Sequence, residues 1–229
     1  MKAGDVFADR GGFEAFVAPA AAGYRAADPW SYRLIKRMLD VTAASCGLLL
    51  LLPLFPFIVL LIRLETRGPV FFRQLRVGHR GRLFRCYKFR SMVVEAESMK
   101  GGLQHLNEFD GAAFKIKADP RITGVGSFLR RSSLDEFPQL FNVLAGDMSI
   151  VGPRPQVPEE VLQYTPEQAL RLLVKPGLTC LWQVSGRSQL DFEEWMALDR
   201  EYVRRRSLGF DVLVLARTPG AVIERKGAY

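Results

Sequence analysis

Histidine and cysteine are scarce in this sequence. His79 and His105 are its two histidines, and Cys46, Cys86 and Cys180 are its three cysteines, with no Cys-x-x-Cys spacing. Three cysteines cannot build a disulfide framework, and so few soft ligands leave no Cys/His set for zinc. This usage points to a reducing, cytoplasmic setting for the body of the protein. No Walker A stretch and no Asp-x-Asp occur. Their absence argues against a P-loop nucleotide hydrolase and against glycosyltransferases that hold a nucleotide sugar through a metal-bound Asp-x-Asp. Residues 1–30 have no apolar run and scatter Asp5, Asp9 and Glu14 among Ala and Gly. Neither a signal peptide nor a transit peptide fits that pattern, and a flexible N-terminal arm is expected there.

What is present is an ordinary globular balance: 229 residues, 48% apolar and 24% charged, enough for one domain with a short appendage. The net charge of +8 is unevenly spread. Residues 31–90 hold twelve Lys/Arg against Asp40 and Glu65, a local +10, and the remainder sums to −2. That basic sector brackets the most apolar part of the chain. From Val41 to Ile62 there are twenty-two residues without a charge, long enough at about 1.5 Å per residue to span a bilayer core. Pro53 and Pro56 interrupt it, and each removes a helical N–H and clashes with the preceding turn. Arg33, Lys36 and Arg37 lie before it and Arg63, Arg67, Arg73 and Arg76 after it, so both flanks belong on the cytoplasmic side. A helix that enters, bends at Leu52–Pro56 and leaves by the same face satisfies both constraints. A kinked spanning helix with the arm outside is the alternative.

Beyond Gly68-Pro69, Val70-Phe71-Phe72 opens a strand, Val77–Gly81 reads as a turn, and Leu83–Phe89 returns, with Phe84, Cys86 and Lys88 on one side. The cations of this hairpin are expected to face anionic headgroups. Nucleic acid is disfavoured, because the neighbouring segment is Leu-rich and no nucleic-acid-binding motif is recognisable. Near the C-terminus, Asp191–Arg206 reads as a helix with Phe192, Trp195, Leu198, Tyr202 and Val203 on one side. Leu208–Val222 suits a membrane interface, while Asp211, Arg217 and Pro219 exclude a span.

The chemistry concentrates around Asp135 and Glu136. Ser133-x-x-Glu136 has the form of a capping box, and Leu134, Phe137, Phe141 and Leu144 then supply the apolar face of a helix. That alone explains both acids structurally. Their surroundings suggest more. Arg130 and Arg131 precede them, and Gly146–Pro155 follows as a Gly/Pro-stiffened loop that presents Arg154 between two prolines. A planar guanidinium so held suits bidentate contact with phosphate. A nucleophilic carboxylate, a second carboxylate and a phosphate clamp fit one pocket. Asp147 reads as a metal ligand or as a plain turn residue. Trp182 reads as a stacking platform for a base or sugar, or as a half-buried aromatic.

The ordered set Lys88-Phe89-Arg90-Ser91-Met92, Asp119-Pro120-Arg121-Ile122-Thr123, Leu134-Asp135-Glu136, Gly146-Asp147-Met148-Ser149, Pro153-Arg154-Pro155, Lys175-Pro176-Gly177-Leu178-Thr179 and Trp182-Gln183-Val184-Ser185-Gly186-Arg187 resembles the bacterial sugar transferases, the monotopic polyprenyl-phosphate phosphoglycosyl transferases. The resemblance runs from about Tyr32 to about Asp211 and looks like the short, exopolysaccharide-type form. It implies an α/β, mainly helical fold: a monotopic membrane protein with a re-entrant helix over 31–67, broken at Pro53 and Pro56, interfacial amphipathic helices, and a cytoplasmic catalytic domain over 68–229. The family often has Ser-Pro at the break, where this chain has Leu52-Pro53 and a second proline. The resemblance implies location on the cytoplasmic face of the inner membrane and transfer of a hexose 1-phosphate, galactose or glucose, from a UDP-sugar to undecaprenyl phosphate. It makes Asp135 the nucleophile and the protein ligand of Mg²⁺, and Glu136 its dyad partner. Lys88, Arg130, Arg154, Gln183 and Arg187 become substrate contacts. A homo-oligomer is compatible with it. The rival reading is a non-enzymatic membrane-associated scaffold that binds anionic lipid through the basic sector.

Overall fold

The computed structural model describes residues 10–21, 24, 28–108, 116, 118–186 and 190–223. The chain is mostly helical with small sheets. Helix α1 is Arg10–Val17, α2 Trp30–Leu51 and α3 Phe55–Glu65. Strands β1 (Phe71–Val77) and β2 (Leu83–Phe89) follow, then α4 (Gly124–Arg131), α5 (Gln139–Ala145), β3 (Ser149–Val151) and β4 (Gly177–Thr179). Helices α6 (Phe192–Arg205) and α7 (Leu208–Ile223) complete the fold, and single helical turns fill the connections.

The break between α2 and α3 falls at Leu52–Leu54, where Pro53 and Pro56 remove donors from the helical ladder, and the two axes diverge by 63°. Among the described residues no single helix is long and apolar enough to cross a membrane, whereas this bent pair is, by length and composition. Its outward side chains between Val41 and Leu61 are mostly apolar, with Leu50 74% exposed. Of the arm expected over 1–30, residues 10–17 form α1, whose Phe13 and Val17 are buried against Val77, Leu170 and Trp195. Four residues apart, they share one helix face, which is why a chain without an apolar run still docks.

Strands β1 and β2 form the expected antiparallel hairpin, with Phe72 opposite Lys88, Gln74 opposite Cys86 and Arg76 opposite Phe84. Strands β3 and β4 pair in parallel, Ser149 with Gly177 and Val151 with Thr179. The segment expected as a loop before Pro153 is therefore partly a strand. It is tied to α2: Asp40 accepts hydrogen bonds from the Ser149 hydroxyl and the Ile150 N–H, both at 2.8 Å. Lys36 donates to the Val151 carbonyl at 3.1 Å and pairs with Asp211 of α7 at 2.9 Å. Arg37 donates to the Val143 and Leu144 carbonyls at 2.6 and 2.7 Å, completing the C-terminus of α5. Two of the three cations that precede the apolar stretch thus point into the protein, where Lys36 shares the Val151 carbonyl and Asp211 with the Tyr202 hydroxyl.

Helix α6 has the expected face, with Trp195, Tyr202 and Val203 buried. Helix α7 buries Asp211 and Val214 and exposes Val212, Leu213 and Leu215. Thr123 caps α4 by accepting from the Gly126 N–H at 2.9 Å. At Gly126 the helix approaches the chain after β2 so closely that an added Cβ would lie 1.9 Å from the Ser91 carbonyl oxygen. Gly126→Ala is therefore expected to destabilise the protein by about 1–3 kcal/mol and to loosen everything α4 positions. Gly102→Ala, where nothing lies within 4 Å, is the matched control. Urea unfolding of the two variants, with near-equal midpoints as the contrary result, checks this.

Candidate active site

Helix α4 ends at Arg131, and Ser133 then adopts the left-handed conformation with φ 58°. A side chain there costs about 1–2 kcal/mol relative to ordinary backbone, and strain of this kind collects where geometry serves a site. Leu134–Glu136 is one 3₁₀ turn, and α5 begins only after Pro138. Here the structure departs from the helix expected to start at Ser133. Pro138 has no N–H to give the Leu134 carbonyl, so the chain makes i→i+3 bonds from Glu136 to Ser133 and from Phe137 to Leu134. No capping box forms, and Ser133 makes no side-chain cap bond. The buried face of α5 is Leu140 and Val143, and Phe141 is half-exposed.

Released from capping, Glu136 reaches across to two cations. Lys88 of β2 lies 2.7 Å from Oε1, and Arg154 forks onto the carboxylate, Nη2 to Oε1 at 2.5 Å and Nη1 to Oε2 at 3.1 Å. Burial alone would raise the Glu136 pKa, but Arg154 and Lys88 outweigh it and hold the carboxyl well below its usual range. The guanidinium of Arg154 is correspondingly held charged: burial opposes the charge and Glu136 more than restores it. Asp135 is treated differently. It is 6% exposed, and among the described residues no hydrogen bond or ion pair reaches its carboxylate. Burial and the neighbouring Glu136 push its pKa up to about 6, against the pull of Lys88, Arg130 and Arg154. Two adjacent carboxyls are thereby driven to opposite sides of their ordinary values, the pattern that separates a fixed charge from a reactive group.

The loop bearing Arg154 is built to hold it still. An added Cβ at Gly177 would lie 2.1 Å from the Gly152 nitrogen, so glycines at both positions let the backbones meet. The three carbonyls that follow each accept from a separate donor: Pro153 from the Gly177 N–H at 2.9 Å, Arg154 from Arg171 at 2.6 Å, and Pro155 from Arg76 at 2.9 Å. Arg171 is itself buried, paired with Asp199 at 2.8 Å, donating to the Tyr164 hydroxyl at 2.8 Å and stacked 5.2 Å from the Trp195 ring. Opposite, Arg130 donates through Nε to the Ser91 hydroxyl at 2.9 Å. Arg121 closes on Asp119 through two bonds and holds the Ala96 carbonyl.

Arg154, Arg130, Ser91, Asp119 and Arg121 line one cavity of about 470 Å³, a volume suited to a small organic ligand. It brings together Lys88, Arg130, Asp135, Glu136, Arg154 and Gln183. Arg187 lies outside the described residues. Trp182 lines the cavity with its ring packed 4.8 Å from Trp195. Asp147 instead sits in the turn that ends α5, its N–H bonded to the Asn142 carbonyl. Pro53 and Pro56 are not in the cavity, but Phe55 between them packs against Phe71 and Phe89, which line its apolar end, at 6.0 Å each.

Arg76 was expected to face headgroups beside Arg73, and the structure corrects this. Residues three apart in a strand face opposite sides. Arg73 is exposed over Tyr87, whereas Arg76 turns inward to the cavity. Parity along the strand was the available signal. Among the described residues no three His, Cys, Asp or Glu side chains converge on a metal site. A divalent cation here would have Asp135 and the oxygens of an anionic ligand, an arrangement that fits Mg²⁺, which binds through one or two carboxylates together with phosphates and water.

The Asp135 shift has a measurable sign. A carboxyl whose pKa is raised on folding favours the folded state most when protonated, so its contribution is lost as pH rises from about 4 through about 6. Asp135→Asn is therefore expected to be more thermally stable than the wild type at pH 7.5, with the gap closing towards pH 4. Melting curves across that range check it, and a gap that widens in acid contradicts the assignment.

A family model described as bacterial sugar transferase matches residues 31–225. The galactosyl transferase CpsE of Streptococcus agalactiae serotype III is 46% identical over 200 residues, which cover 87% of this chain and 44% of that protein. The undecaprenyl-phosphate galactose phosphotransferase of Salmonella typhimurium is 44% identical, over 87% of this chain and 42% of that one. The chain thus spans less than half the length of these two relatives. The exopolysaccharide production protein ExoY of Rhizobium meliloti is 41% identical, over 86% of this chain and 88% of that protein.

Proposed function

The chain belongs to the bacterial sugar transferase family, and from that premise we propose that it moves a hexose 1-phosphate from a UDP-sugar to undecaprenyl phosphate, opening the assembly of a surface polysaccharide. The observation that carries this reading is the unequal carboxylate pair: Asp135 untied in the cavity, Glu136 locked between Arg154 and Lys88. Galactose or glucose fits the names of the relatives.

In the first half-reaction an Asp135 carboxylate oxygen attacks the β-phosphorus of the UDP-sugar. The P–O bond to the α-phosphate breaks, and UMP departs with that electron pair. In the second, an oxygen of undecaprenyl phosphate attacks the same phosphorus, the aspartyl–phosphorus bond breaks, and Asp135 returns as carboxylate beside undecaprenyl-diphosphate-sugar. Phosphoryl transfer asks chiefly for positioning and for charge neutralisation on non-bridging oxygens. Arg130, Lys88 and Arg154 line the space those oxygens would occupy, with Arg187 and Gln183 as further contacts. Glu136 keeps the two cations it binds aimed at the cavity. Mg²⁺ held through Asp135 and the diphosphate would neutralise charge on the leaving group.

For the lipid substrate to reach this cavity, α2 and α3 enter the cytoplasmic leaflet and return, their exposed leucines in acyl chains and the apolar side of α7 at the interface. The 63° bend and the two prolines support re-entry. Arg33→Cys and Arg67→Cys, each in a background without Cys46, are expected to react with an impermeant thiol reagent only from the cytoplasmic face. Labelling from opposite faces is the result that rejects re-entry.

The chemistry is tested without lipid. Protein, UDP-sugar and Mg²⁺ are expected to give about one UMP per site and one hexose phosphate in added mass, with both absent in Asp135→Asn. Initial rates with both substrates varied should give the parallel lines of two half-reactions. Intersecting lines with no adduct would mean direct attack by lipid phosphate, and no UMP at all would leave a lipid-binding scaffold.

A further inference from the structure

Most buried arginines in this protein are accounted for. Arg121 has Asp119, Arg154 has Glu136, Arg171 has Asp199 and Arg206 has Asp28, while Arg90 completes the carbonyls of Thr66 and Arg67 at the end of α3. Arg76 is an exception. Among the described residues no carboxylate lies within ion-pairing distance of it. Two of its bonds are known, to the Pro155 carbonyl at 2.9 Å and to the Gln74 side chain at 2.5 Å. A guanidinium has five N–H donors in a fixed fork, so three remain. The side chain is largely buried and lines the cavity on the same face of the hairpin as Lys88, the register pairing Phe72 with Lys88 and Arg76 with Phe84.

The charge of the cavity leads to the same residue. Its walls carry seven Lys/Arg against five Asp/Glu, an excess of two positive charges among the described residues. A buried cation without a counter-ion is costly unless something anionic completes it. Burial and the nearby Arg154 also lower the pKa of Arg76, outweighing the pull of Glu160 and Glu136.

We infer that Arg76 is a substrate-binding residue, whose free N–H groups take a phosphate oxyanion of one of the two substrates while one Nη holds the Pro155 carbonyl beside Arg154. This rests on the phosphotransfer reading. The oxyanion belongs either to the diphosphate of the nucleotide sugar or to the polyprenyl phosphate. The shared chemistry is a phosphate that accepts two parallel N–H bonds, for which Arg is suited and Lys is not.

The test uses full-length protein in detergent, with Arg76→Ala and Arg76→Lys beside the wild type. Lysine keeps the charge and a donor for Pro155, which guards against an unfolded or shifted loop. Calorimetry measures UDP and uridine binding, and kinetics measure UMP release and the KM for undecaprenyl phosphate. Loss of a charge-assisted bidentate contact is worth about ten- to a hundredfold in affinity. If the oxyanion is the donor's, both variants lose UDP affinity by that order while uridine binding holds, and free guanidinium ion partly restores UMP release to Arg76→Ala. If it is the lipid's, UDP binding holds and the KM for undecaprenyl phosphate rises instead. Uridine and UDP weakened together would make Arg76 only a prop for the loop and overturn the inference, as would UDP affinity and lipid KM both unchanged. A wild type that releases no UMP rejects the transferase reading itself; a wild type that releases UMP, matched by Arg76→Ala, rejects only the role of Arg76.

Discussion

Everything around the cavity is arranged to keep Glu136 between Arg154 and Lys88. The three residues come from distant parts of the chain, 48 positions separating Lys88 from Glu136 and 18 separating Glu136 from Arg154. Removing Glu136 would leave two poorly solvated cations unpaired, and removing either cation would leave Glu136 with a single partner. The hairpin, the 3₁₀ turn and the Pro-Arg-Pro loop must therefore all be in place before the cluster is favourable. The consequence for Asp135 is indirect. Because Glu136 takes the direct contacts of both cations, its neighbour keeps its oxygens unengaged while still lying in their field. A pair of adjacent acids is ordinarily a repulsive liability; here the cations are distributed so that one acid absorbs the cost of burial and the other remains available.

Much of this was legible without coordinates. The strand–turn–strand pattern, the long face of α6 and the break at the prolines are set by local rules of period and donor loss, and local rules act on neighbours in sequence. The order of the motifs also brought six candidate residues to one cavity. The errors share a cause. Ser133-x-x-Glu136 met every sequence criterion for a capping box, yet Pro138 and the pull of two distant cations decided the geometry. Competition between a local bond and a long-range ion pair cannot be judged when only the local partner is in view. Arg76 is a different case, since strand parity alone separated it from Arg73.

The basic sector also changes meaning once folded. Its local +10 suggested a surface that meets anionic headgroups. Lys36, Arg37, Arg76, Lys88 and Arg90 instead face carbonyls, carboxylates or the cavity. Arg73 and Arg82 are among those left exposed. Charge in a sequence counts ionisable groups, whereas an outside surface feels only those whose field escapes the protein. Half-buried cations that line the cavity are spent on the cavity.

The contacts of α2 bear on modularity. A helix that leads into an apolar hairpin resembles an anchor that evolution or an engineer could trim away or exchange. Asp40 secures the start of β3, Lys36 bridges to α7, and Arg37 finishes α5. The strand so secured runs directly into Gly152 and the Arg154 loop. Severing the chain between Trp30 and Glu65 would therefore remove supports of β3, α5 and α7 along with the apolar hairpin. Hybrids between relatives stay coherent only if α2 travels with its partners on β3, α5 and α7. In this protein the bent apolar helix pair and the support of the Arg154 loop are one inherited unit.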